Sequence, residues 1–109
     1  MNWKVSYLPE AADDLLRLDG SAQRQVLKAI AKVSQNPLPF TEGGYGKPLG
    51  NKQSKALTGL QKIKLKAAGI RIVYDLIRTE TMMLIVVIGI REDESVYAEA
   101  MKRIDKNGD

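Results

Sequence analysis

A chain of 109 residues, 44% of them apolar, is enough for one domain (residues 1–109) with a single modest core. Cysteine and histidine are both absent, which excludes disulfides, thiolate or imidazole metal sites, Cys–His pairs and Ser–His–Asp triads, so any catalysis falls to lysine, arginine, tyrosine or carboxylates. The net charge of +4 is unevenly spread: residues 51–91 carry eight Lys/Arg against two Asp/Glu, residues 92–109 three against six. A basic middle of this kind suits a phosphate backbone, because each neutralised phosphate releases counterions, although a solvated basic face would read the same way.

In chain order, Trp3, Val5 and Tyr7 alternate with polar residues as in a short strand. Pro9 suits the first turn of a helix expected to bury Leu15, Leu16 and Leu18; Gly20 breaks it and Ser21 can cap the next. In that second helix Ala22, Val26, Ala29, Ile30 and Val33 keep helical spacing up to Asn36-Pro37, and the two helices are expected to form an antiparallel hairpin. Residues 37–60 are rich in Gly and Pro and read equally as a binding loop or a plain linker, with Leu49 and Leu57 as candidate anchors. The period then becomes two. In Gln61 to Lys66 the residues Ile63 and Leu65 face one way and Lys62, Lys64 and Lys66 the other. Ala67-Ala68-Gly69 makes a turn into a strand from Ile70 to Arg78, and Thr79-Glu80-Thr81 turns into Met82–Ile88, apolar enough to be covered on both faces. A last helix from about Asp93 to Lys106 carries Val96, Tyr97, Ala100, Met101 and Ile104 as its apolar stripe. The expected architecture is α+β, β-α-α-β-β-β-α: an antiparallel sheet packed on an N-terminal helical hairpin, with a C-terminal helix near the other face.

The lysine row is the most informative feature. Lys62, Lys64 and Lys66 project from one face about 7 Å apart. Crowded ammonium groups favour the loss of a proton, the route by which a lysine becomes a general base; an amphipathic strand facing water is the plainer reading. Closure of the hairpin brings Arg71 onto the same face beside Val73, where it needs an anion, either Asp75 or a ligand phosphate. Arg91 ends the central strand, and Tyr97 is either core or a group at the rim. Glu92-Asp93-Glu94 and Asp13-Asp14 are best explained by helix N-termini rather than by metal binding.

Taken together, Lys62-Ile63-Lys64-Leu65, Gly69-x-Arg71-x-Val73-Tyr74, Gly89-x-Arg91-Glu92 and Ser95-Val96-Tyr97-x-Glu99-Ala100-x-Lys102-Arg103 closely resemble the RelE family of ribosome-dependent, mRNA-cleaving toxins. The resemblance implies a RelE-like fold and an active site of Lys62, Lys64, Arg71, Arg91 and Tyr97, with no metal and no cofactor. It implies attack of a ribose 2′-hydroxyl on its own 3′-phosphate, leaving a 2′,3′-cyclic phosphate and a 5′-hydroxyl. Lys62 is then the base, and Lys64 and Arg71 hold the phosphate. Arg91 is the acid, or a purely electrostatic stabiliser since guanidinium rarely gives up a proton. Tyr97 stacks on a base or orients the nucleophile. The implied partners are a cognate antitoxin that binds this surface and levers off the terminal helix, and the ribosomal A site with its mRNA; operator DNA is implied only for the toxin–antitoxin complex. Where the family has basic residues flanking the counterpart of Arg91, this chain has Ile90 and Asp93; the basic loop around Lys47, Lys52 and Lys55 is a candidate compensation.

Two other readings compete with this one. A ParE-like toxin of the same superfamily would share the fold and inhibit DNA gyrase without cutting RNA, and a non-catalytic nucleic-acid-binding module would use the basic sheet as a platform. A signal-peptide pattern and an apolar run of roughly 18 residues are both missing, so a soluble cytoplasmic protein without membrane partners is expected.

Overall fold

The sheet is mixed, and its most apolar strand lies inside it. A computed structural model describes residues 3–49, 59–90 and 93–107. Its elements are β1 (Lys4–Tyr7), α1 (Pro9–Leu16), α2 (Gly20–Val33), a 3-10 turn at Phe40–Glu42, β2 (Lys47–Pro48), β3 (Leu60–Leu65), β4 (Ile70–Ile77), a 3-10 turn at Arg78–Glu80, β5 (Met82–Gly89) and α3 (Asp93–Asn107). The five strands run in the order β1-β5-β4-β3-β2. From β3 to β5 they form the expected antiparallel meander and β2 adds an unexpected antiparallel edge strand, but β1 joins β5 in parallel, Lys4 opposite Met82 and Tyr7 opposite Ile85. The fully antiparallel sheet is corrected on this point. The long connection between β1 and β5, two helices and three strands, permits the parallel pairing that a tight hairpin could not.

Each face of the sheet has its own core. Ile63, Ile70, Ile72, Tyr74, Met83 and Ile85 pack against Ala11, Val26, Ile30 and Val33 of α1 and α2. Leu49, Leu60, Val73, Val86 and Val87 pack under Val96 and Ala100 of α3, with Tyr97, Met101 and Ile104 beside them. Period-two alternation along β3 and β4 sorts residues between these cores. A bulge interrupts β5: Val73 pairs with Val87 and Tyr74 with Ile85, which leaves Val86 unpaired with β4.

Local details differ from the sequence reading. Leu16 is 74% exposed, because the buried side of α1 is set by Ala11 and Leu15, and one further residue turns about 100° away. The cap of α2 is Asp19, whose carboxylate accepts from the Ala22 N–H at 2.8 Å, rather than Ser21. Residues 37–46 form a tightly bonded loop. The Tyr74 hydroxyl donates to Pro37 O at 2.7 Å, Phe40 N–H to Gly46 O at 2.7 Å, and Tyr45 N–H to Asn36 O at 2.9 Å. Leu49 is buried as expected; Leu57, Lys52 and Lys55 lie outside the described residues.

Candidate active site

The Lys66–Gly69 turn, with Gly69 at φ 68°, sets the register of the β3–β4 hairpin. That register places Lys64 directly opposite Arg71 and Lys62 opposite Val73. Across the other edge of β4, Arg71 faces Gly89, so Lys64, Arg71 and Gly89 form one row over three strands. All project from the face covered by α3, since Leu60 and Val73, of the same parity, belong to that core. From above, Tyr97 of α3 brings its ring centroid to 5.4 Å from Lys62 Nζ, within cation–π range. Lys62, Lys64, Arg71 and Tyr97 are therefore brought together, all of them half-buried. Arg91, the fifth expected residue, lies outside the described residues. Lys66 falls in the turn, exposed, and drops out of the row. Asp75 is four residues from Arg71 along β4, about 13 Å, and sits opposite Leu60, too far along to pair with Arg71.

How α3 is held over this face was not legible in the sequence. A Cβ on Gly89 would lie 2.9 Å from Val96 Cγ2, so the absence of a side chain there lets the first turns of α3 approach the strand. Further along, Arg103 is 9% exposed and donates to Asp14 Oδ2 at 2.6 Å, to Glu99 Oε2 at 2.7 Å and to Val86 O at 3.0 Å, the carbonyl of the bulged residue. Asp14 Oδ2 also accepts from the Ile88 N–H at 3.0 Å. Burial opposes the charge of Arg103, yet its hydrogen bonds to Asp14 and Glu99 outweigh that and hold the guanidinium above its ordinary pKa. Asp14 is thus no helix-terminus charge: it stands in the last turn of α1 and ties that helix to β5 and α3.

A cleft of about 430 Å³ beside this ion pair is lined by Asp14, Arg17, Leu18, Ser95, Glu99 and Arg103 among others, and by none of Lys62, Lys64, Arg71 or Tyr97. The expected cationic residues lie elsewhere, on the sheet face beneath α3. Two adjacent strands there offer positive charge at neighbouring positions, with an aromatic ring at the edge, which suits an extended phosphodiester better than a small enclosed ligand. Among the described residues, no group of three acidic side chains is arranged to hold a metal ion.

The fold is a small α+β domain with a cationic sheet face, and the chain is similar to toxins of the RelE type. The chain is 27% identical over 104 residues to the mRNA interferase toxin RelE of Escherichia coli K12, covering 95% of this chain and 99% of that protein. It is 28% identical, with the same coverage, to another Escherichia coli protein described as a RelE-like toxin. Among solved structures, an arginine-to-alanine double variant of E. coli RelE in the free state superposes with a TM-score of 0.72 at 24% identity, covering 95% of this chain and 99% of that one. RelE in the intact E. coli RelBE toxin–antitoxin complex gives 0.63 at 21% identity, with 83% and 98% covered. No protein-family profile matches the chain. By near full-length similarity and by fold, the chain is a RelE-type toxin relative.

Proposed function

We propose that this chain is the toxin of a toxin–antitoxin pair and an endoribonuclease that cuts mRNA codons in the ribosomal A site. The observation that carries the reading is the Lys64–Arg71 cross-strand pair with Lys62 beside it under the Tyr97 ring. Two cations on neighbouring strands match a phosphate that gathers negative charge during in-line attack. Lys62 accepts the proton of the 2′-hydroxyl as its oxygen attacks the adjacent phosphorus. The bond to the 5′-oxygen breaks, and a proton supplied to that oxygen completes a 2′,3′-cyclic phosphate and a 5′-hydroxyl. Arg91 is assigned to that end of the reaction, as acid or as stabilising charge. Tyr97 stacks on a base. The chain has no histidine or cysteine, so in this reading the proton transfers fall to these residues, without a metal. Placement of the codon by the ribosome supplies orientation, and free RNA is expected to be a poor substrate.

The proposed partners are a cognate antitoxin, the ribosome and its mRNA, in the cytoplasm, with operator DNA bound only by the toxin–antitoxin complex. Solved complexes of RelE with RelB on this fold support the antitoxin. No helix among the described residues is long and apolar enough to cross a membrane. The test is cleavage of mRNA on programmed ribosomes, mapped by primer extension, for wild type and Arg71→Ala. Cuts within the A-site codon that disappear in the variant are expected. A folded wild type that makes no cuts on active ribosomes would overturn the nuclease and direct the next assay to DNA gyrase.

A further inference from the structure

We propose that Lys47 holds a second RNA phosphate, the neighbour of the scissile one. This rests on the nuclease reading above and assigns a subsite to the short strand β2, which carries none of the expected catalytic residues. The register places Lys47 directly opposite Lys62, two residues along β3 from the Lys64–Arg71 pair. Directly opposed residues of an antiparallel pair project from the same face, and Leu49, two residues on, confirms which face by packing with Leu60 under α3. Four cations therefore form a block: Lys47 with Lys62, then Lys64 with Arg71, about 7 Å further along the strands. That separation is of the order of one backbone step in an extended single strand.

Like charges directly opposite one another destabilise a sheet, and among the described residues no carboxylate pairs with either lysine. Lys47 is exposed. Pro48 follows at once, and β2 is the last strand in the described order. No strand among the described residues lies beyond it. An anion bound by Lys47 offsets its repulsion with Lys62, and an RNA strand crossing the Lys64–Arg71 pair brings its next phosphate to that point. Lysines also guard sheet edges against pairing with other chains. That role would make Lys47 a solubility device with no effect on RNA.

The experiment is a chemical double-mutant cycle on programmed ribosomes. Single-turnover cleavage is measured for wild type, Lys47→Ala and Lys47→Arg on an ordinary message. It is repeated on messages carrying one uncharged methylphosphonate at the phosphate on either side of the cut. Wild type is expected to slow several-fold when one of these two flanking phosphates is neutralised. Lys47→Ala should be slowed similarly on the ordinary message and no further by that same substitution, while Lys47→Arg recovers most of the rate. Lys28→Ala, on the exposed side of α2, serves as a charge control and should cleave as wild type does. Losses that simply add, or a Lys47→Ala protein that cleaves normally while Lys64→Ala does not, would overturn the subsite and leave the nuclease standing. A wild type that cuts neither message would bring down both.

Discussion

The Arg103 guanidinium and the Asp14 carboxylate, 89 residues apart in the chain, meet at 2.6 Å with each side chain only 10% exposed. Removing one member of a buried, hydrogen-bonded pair strands the other and costs about 3–5 kcal/mol. Asp14→Ala is expected to lower stability by about 3 kcal/mol, and Asp14→Asn by less, because its amide oxygen can still accept from Ile88 N–H. Urea denaturation gives the two values. Limited proteolysis should show the C-terminal helix cut first. An Asp14→Ala protein as stable as wild type would show that the clasp contributes nothing.

Tyr97 touches Lys62 through its ring. Ring–cation contact and base stacking, worth about 1–3 kcal/mol together, survive in Tyr97→Phe and are lost in Tyr97→Ala. Ribosome-dependent cleavage should therefore fall on the order of tenfold or more for alanine and only a few-fold for phenylalanine. Equal losses would assign the work to the hydroxyl.

Burial raises the Asp75 carboxyl above its ordinary pKa, against a backbone hydrogen bond to Leu76 that lowers it. The folded protein therefore holds this proton more tightly than the unfolded chain does. Ionisation opposes folding once the pH exceeds the usual carboxylate range, and below that range the penalty vanishes. Asp75→Asn should raise the melting temperature at pH 7, with the gain shrinking as the pH falls through about 4. A gain independent of pH would point to packing instead.

Thr81 has φ 50°, in the left-handed region that a β-branched residue rarely occupies. Thr81→Gly should stabilise the protein by up to about 1 kcal/mol, after the greater chain entropy of glycine is offset. The urea midpoint measures this, and a decrease would mean that the threonine side chain contributes more than its strain costs.

Gly46 shows the opposite constraint. A Cβ there would lie 2.9 Å from Pro37 O and 3.0 Å from Gln61 Oε1, and would run into the Tyr74 hydroxyl. Burial keeps that hydroxyl protonated well above its ordinary range, as a donor to Pro37 O. Gly46→Ala should destabilise by about 1–3 kcal/mol and Tyr74→Phe by about 1 kcal/mol, with losses that do not add because both loosen one contact. Additive losses in the double variant would separate the two.

What the sequence made legible was local. The Ala67-Ala68-Gly69 turn was enough to bring Arg71 onto the lysine face, and helical spacing placed Tyr97 among the residues of α3 that face the sheet. What it hid was long-range or too short to have a period. Two residues, one of them proline, give no alternation, so β2 went unseen, and with it the pairing of Lys47 to Lys62. The parallel pairing of β1 with β5 leaves no trace in either segment. Arg103 lies beside the apolar stripe of its helix, where a charge normally means solvent, and Asp14 looked like a charge at a helix start. Only the fold brings them together.

The parallel pairing of β1 with β5 also sets the order of events during synthesis. Lys4 through Tyr7 form their ladder only with Met82 through Ile85, so some eighty residues must be made before the first strand has a partner. Until then the N-terminal helices have only part of their sheet to cover, and a nascent chain can assemble neither the α3 face nor its clasp. Contacts this distant along the chain slow folding. The first strand therefore waits unpaired through the synthesis of two helices and three further strands before β5 gives it a ladder.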